Sequence, residues 1–160
     1  MTETLIVDGY NVIYADSHLQ KELDKNLMEA RKALEKSLRD FQAKQKSIKT
    51  IFVVYDSRVN NQLEIEDLGL VKNIFVSSEG SADEKIVSIL KNLKRPERAA
   101  VLSKDNFVMN HARAMGVPIL SVGTFFKRIT KLSKKEEERE LTPDAKERIN
   151  RELKGVWRLD

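Results

Sequence analysis

The sequence contains no cysteine. Disulfides, thiolate zinc sites and thiol nucleophiles are excluded together, so any metal here is held by oxygen donors or by the two histidines. Also missing is any apolar run of the roughly 18 residues that a spanning helix needs. The opening residues, MTETLIVDG, carry no basic stretch followed by an apolar core of about 7–15 residues, the mark of a secretory leader. These absences give a cytoplasmic protein with no membrane contact as the expectation. No internal repeat is apparent either. What is there suits one domain with a true core: 41% of residues are hydrophobic and 34% charged, and the formal charge of +4 tilts toward an anionic partner without naming one.

Short β-branched runs recur along the chain, each followed by turn residues. LIV precedes Asp8, IFVVY precedes Asp56, IFV precedes Ser77, AAVL precedes Ser103 and VPIL precedes Ser121. Such runs are typical of strands buried on both faces. Helical periodicity fills the gaps. A short helix is expected from Ser17 to Leu23. From Asn26 to Gln45, Leu27, Ala30, Leu34, Leu38 and Phe41 recur at spacings of three and four, with Asn26 and Glu29 in capping-box register. Ser81 to Leu93 is a second such helix, with Ser81 and Glu84 in the same register and Ile86, Ile89, Leu90 and Leu93 inward. Asn106 to Met115 is a third, stopped by Gly116, and Gly123 to Lys131 a short fourth.

Strands alternating with helices predict a three-layer α/β domain over residues 1–131, with a parallel sheet of four or five strands. The stretch Ser57 to Leu70 is too polar to assign and reads as a loop. Residues 132–160 differ in character. A charge run, LSKKEEERE, leads to Thr142 and Pro143, which suit the start of a last helix that Gly155 ends. That tail is expected to pack on the domain through Ile149, Leu153 and Trp157, or to extend from it as an arm.

In an open parallel sheet, functional groups collect outside the carboxyl ends of the strands. Asp8 ends the first strand, Asp56 ends the second, Asp83 lies in the first turn of the helix after the third, and Asp105 sits just past the fourth. Four carboxylates from distant parts of the chain are thus predicted to converge. Left alone they repel and bind protons, and a hard divalent cation with oxygen ligands removes the conflict. Such a cation activates water and stabilises the leaving oxygen of a phosphodiester, which is nuclease chemistry. Structural readings stand beside this one. Asp105 also suits an N-cap, Asp83 a helix start and Asp56 a turn, whereas D-G-Y-N after a strand is no ordinary helix start. Asn11 adds a neutral amide able to orient water or an aspartate.

LIVDGYNVIYA, NLMEARKALEKSLRDFQ, VVYDS, EGSADEKI and VLSKDN together resemble the NYN domain family of PIN-like nuclease fold, and within it the YacP-like bacterial group. The likeness spans most of residues 4–126. Asp8, Asp56, Asp83 and Asp105 match the family's acidic metal positions, and Asn11 matches the asparagine accompanying the first. The resemblance implies an endoribonuclease dependent on Mg²⁺ or Mn²⁺, associated with mRNA cleavage on the ribosome. Two motifs depart from the family pattern. Ser103, Lys104 and Asp105 stand where T-S-D is common, and Val87 replaces a carboxylate.

For the substrate, Arg58, Lys104 and Arg113 flank the acidic positions and suit phosphate contacts, although each is equally an ordinary surface charge. Tyr10 and Tyr14 suit base stacking, with core packing the competing role for Tyr14. Arg31 is a salt-bridge residue or a backbone clamp. His18 and His111 are not at ligand spacing. Three function classes follow. The first is a metal-dependent endoribonuclease acting on single-stranded RNA. The second is an RNA-binding module of the same fold with a depleted site, which Val87 favours. The third is another Mg²⁺ phosphoesterase, such as a phosphatase or flap nuclease. A D-x-D pair after the first strand would mark the phosphatase, and D-G-Y is not that.

Overall fold

A strand without polar alternation has no face to give to solvent, and the β-branched runs accordingly lie in the middle layer. The computed structural model describes residues 1–56, 64–76 and 81–130. Its strands are β1 (Thr4–Asp8), β2 (Thr50–Asp56), β3 (Glu64–Asp67), β4 (Val71–Val76), β5 (Ala99–Leu102) and β6 (Ile119–Leu120). They form one six-stranded sheet in the order β3-β4-β2-β1-β5-β6. Five of these strands are parallel, and they are the five apolar runs of the sequence.

The sixth corrects the reading of Ser57 to Leu70 as a loop. β3, sequence EIED, pairs antiparallel with β4 at the sheet's edge, and all four of its residues are exposed. Its charges keep it soluble and blunt the open edge, so it shows none of the apolar signal by which a strand is recognised. Residues 57–63 of that stretch, including Arg58, lie outside the described residues, as do the expected boundary at 131 and the tail 132–160.

Helices cover both faces. On one side lie α1 (Gly9–Ala15), α2 (Ser17–Lys25), α3 (Leu27–Lys44) and α6 (residues 122–130). They pack on the odd residues of the central strands, Leu5, Val7, Ile51, Val53 and Tyr55, through Val12, Leu19, Leu34, Leu38, Phe41 and Phe125. On the other side α4 (Ala82–Lys91) and α5 (Asn106–Ala114) cover Ile6, Val54, Ile74 and Val101 through Ile86, Leu90, Val108 and Ala112. Each large aliphatic side chain buried this way contributes on the order of 2 kcal/mol.

The expected caps hold. Asn26 accepts from the Glu29 amide at 2.8 Å, and Ser81 Oγ from the Glu84 amide at 3.3 Å. α5 ends in a Schellman turn: Gly116 takes φ +73, Val117 N donates to Ala112 O at 2.8 Å and Gly116 N to Arg113 O at 3.2 Å.

One helix start was not expected. α1 follows β1 with no intervening loop, beginning at Gly9, so D-G-Y-N does open a helix. The physical reason is packing. A Cβ on Gly9 would lie 2.3 Å from Tyr55 Cε1, so only glycine lets the Tyr55 ring seat against the first turn.

The topology also places a crevice. From β1 the chain steps outward one way through β2 to β4, then returns on the other side of β1 as β5 and β6. The reversal falls between β1 and β5, where the strands' carboxyl ends leave the sheet in different directions.

Candidate functional site

Asp8 stands at that reversal. It occupies the N-cap position of α1, yet its side chain makes no capping bond and turns toward the crevice. Its Oδ2 instead accepts from Ser103 Oγ at 3.0 Å across the β1–β5 seam. Ser103, only 1% exposed, is a hub. Its hydroxyl donates to Asp8 and accepts from the Asp105 amide at 3.0 Å. Asn11, one turn into α1, accepts from the Lys104 amide at 2.7 Å through Oδ1, which ties α1 to the β5–α5 loop. The carbonyl end of Asn11 is thereby committed to the backbone, and only its amide nitrogen is left to face water or a carboxylate.

Asp105 fills the capping role expected of it. One oxygen caps α5, accepting from the Val108 amide at 3.2 Å. The other has no protein partner among the described residues and is left to the crevice. Asp83 lies in the first turn of α4, where its Oδ1 accepts from the Glu84 amide at 3.0 Å. Asp56 ends β2, exposed, on the same sheet face as Val54 and the Asp8 side chain.

The electrostatics show that these groups act on one another. Burial pushes the Asp8 carboxyl up to about 6. The Ser103 hydrogen bond opposes that rise, while the charges of Asp105, Asp83 and Asp56, in that order, add to it. A carboxylate 8% exposed, with one neutral donor and three like charges acting on it, holds negative charge that the protein itself does not neutralise. The donor set is oxygen throughout, which fits Mg²⁺ or Mn²⁺. The carboxylates do not close into a ready cage: among the described residues no group of three or more acidic, histidine or cysteine side chains is arranged to hold an ion. A cation that keeps most of its waters needs only one or two carboxylates directly.

Other expected residues fall in different places. Lys104 is exposed at the crevice, and Arg113, exposed on the last turn of α5, bonds Asn110 Oδ1 at 3.1 Å. Tyr10 is half-buried with its ring 4.9 Å from that of Tyr55, and burial raises its hydroxyl above the ordinary tyrosine range. Of the two roles open to Tyr14, core packing does not hold, since Tyr14 is 60% exposed and it is Tyr10 that packs. No ion pair of Arg31 is found among the described residues; its guanidinium lies over the rings of Phe75 at 5.1 Å and Tyr55 at 5.9 Å. His111 Nδ1 donates to Phe107 O at 2.8 Å, and His18 is exposed. Val87 is buried one turn below Asp83.

Sequence reasoning did not give Ser103 a site role. Its signal is the S-x-D spacing after a buried strand, which lets a hydroxyl accept from the amide two residues on.

The sequence matches the family described as the YacP-like NYN domain over residues 5–157. The chain belongs to this family. YacP-like NYN domains are of nuclease type, and the mostly parallel six-stranded α/β sheet is their fold. Two solved structures carry the likeness. The crystal structure of Rae1 (YacP) from Bacillus subtilis in its W164L mutant is 22% identical, with a TM-score of 0.70 over 86% of this chain and 81% of that one. A second crystal structure of Rae1 (YacP) from Bacillus subtilis is also 22% identical, with a TM-score of 0.66 over 98% of this chain and 93% of that one. No curated protein gives a significant match. Among the described residues, no helix of this family member is long and apolar enough to cross a membrane.

Proposed function

We propose that this YacP-like NYN protein is a divalent-metal-dependent endoribonuclease that cuts single-stranded RNA, with mRNA on the ribosome as its context and the cytoplasm as its place of work. The observation that carries the reading is the state of Asp8: buried, and raised by burial and three other aspartates, it calls for a cation. Asp8, Asp56, Asp83 and Asp105 would hold Mg²⁺ or Mn²⁺. When bound, the ion supplies an activated water and charge stabilisation for the leaving oxygen.

The chain's own residues do the rest. Ser103 fixes one Asp8 oxygen and leaves the other to the crevice. Asn11 holds the β5–α5 loop in register with α1 through the Lys104 amide. Lys104 and Arg113, with Arg58 outside the described residues, would meet phosphates and offset the repulsion between an acidic site and a polyanion. The charged segment 132–160 is assigned, in the same proposal, to a linker and helix appended to the nuclease domain of residues 1–131.

A second reading, an RNA-binding module that does not cut, is favoured by Val87, whose buried valine stands where the family pattern has a carboxylate. Incubation of a labelled single-stranded RNA with Mn²⁺, Mg²⁺ or EDTA separates the two. Metal-dependent fragments that vanish with Asp105→Asn support the nuclease; binding with intact RNA in all three conditions supports the module.

A further inference from the structure

Beside the acidic cluster, outside the carboxyl ends of β5 and β6, runs a cleft of about 810 Å³. Its inner end is Ser103 and Lys104, so it is continuous with the crevice that Asp8 faces. Its floor is apolar, built from Val117 and Ile119, and its far lip is Gly123 at the start of α6. The Schellman turn after α5 holds Val117 in place, and Ser121 Oγ, which accepts from the Thr124 amide at 3.1 Å, fixes the lip.

The lining selects an occupant. Lys104 and Arg113 are exposed on its wall, and the bond from Arg113 Nη1 to Asn110 leaves the remaining guanidinium donors for an anion. An apolar floor is wrong for a phosphate and right for the face of a base. The volume lies toward the upper end of the roughly 300–1,000 Å³ of ligand pockets, ample for one splayed nucleotide. Bases inside a duplex are stacked and cannot enter.

We propose that this cleft takes an unstacked nucleotide of single-stranded RNA next to the scissile phosphate. The base lies on Val117 and Ile119, and the phosphate between Lys104 and Arg113. The proposal rests on the nuclease reading for its place beside the cut, but its binding can be measured without cleavage.

Gly123 supplies the test, because a Cβ there meets nothing within 4 Å and its φ is not positive. Gly123→Phe therefore fills the cleft from the lip. Anisotropy titrations of a fluorescein-labelled single-stranded RNA with the full chain in EDTA should show about tenfold weaker binding for Gly123→Phe, with an unchanged salt slope. Arg113→Ala should instead lower the salt slope by about 0.7, as one lost phosphate contact on a single strand does. Circular dichroism and melting temperature verify both folds.

An abasic scan of the same RNA on the unaltered protein needs no variant, and one position should stand out by about tenfold. Wild-type affinity in a folded Gly123→Phe, or an abasic scan without a sensitive position, overturns the cleft. Parallel incubation in Mn²⁺ keeps the two proposals apart. RNA that binds through the cleft but is never cut sinks the nuclease and leaves the cleft standing, whereas cutting unaffected by Gly123→Phe does the reverse.

Discussion

Asp67 and Asp8 each close a strand, the first on the antiparallel edge of the sheet and the second at its centre, and their carboxyls shift in opposite directions. At the edge, Asp67 is open to water. It accepts from Lys72 Nζ at 2.9 Å and from the Gly69 amide at 2.9 Å, and these donors hold it below the usual carboxylate range. At the centre, Asp8 is buried, has one neutral donor and sits in the field of three more aspartates. The residue and its local position are the same. What differs is whether the fold satisfies the charge or leaves it for something else to satisfy. That unsatisfied charge is the feature on which the proposed metal site rests.

The contrast can be broken most sharply at Asp8. Asp8→Asn keeps a partner for Ser103 but loses the charge, and RNA cleavage should fall by about a thousandfold, the equivalent of several kcal/mol of charge stabilisation. A gel assay of end-labelled RNA measures it; cleavage within a few-fold of wild type would place the chemistry elsewhere.

The next effect is on stability and has the opposite sign. With the folded-state value raised to about 6 from an ordinary 3.8, folded Asp8 binds protons more tightly than the unfolded chain. No penalty exists when both states are protonated. Stability then falls as pH climbs from about 4 to about 6, and above that the fold carries roughly 3 kcal/mol of burden. Urea melts of metal-free protein across this range should show the decline, and Asp8→Asn should flatten it and be the more stable protein at pH 7. Mn²⁺ or Mg²⁺ should raise the melting temperature more at pH 7 than at pH 4.5, where Asp8 is protonated.

Gly9→Ala asks whether the centre is also sterically tuned. The new methyl has to displace the Tyr55 ring, at a cost of about 1–3 kcal/mol for an overpacked core, read from the same urea melts. Asp67→Asn should do the least. An exposed ion pair adds almost nothing, and its melting curve should overlay that of wild type.

How much of this was legible beforehand follows from where information sits in a chain. The five parallel strands were readable because double burial demands unbroken apolar runs, as in Ile51 to Tyr55. β3 was not, because its four exposed residues satisfy no core and look like any polar loop. α1 was hidden for another reason: Gly9 and Asn11 are poor helix formers, and only the tertiary seat of Tyr55 explains them. The placing of Asp8 and Asp56 at strand ends and of Asp83 and Asp105 at the helix starts was readable from topology, and the charges of the other three reach Asp8. The role of Ser103 was readable only in part, since the S-x-D spacing marks its bond to the Asp105 amide but not its partner across the seam.

The direct join of β1 to α1 sets a rule for how this protein can vary. Each residue inserted between positions 8 and 9 would turn α1 by about 100° about its axis and swing Asn11 away from the Lys104 amide. The length of that joint is therefore as constrained as the glycine that opens it.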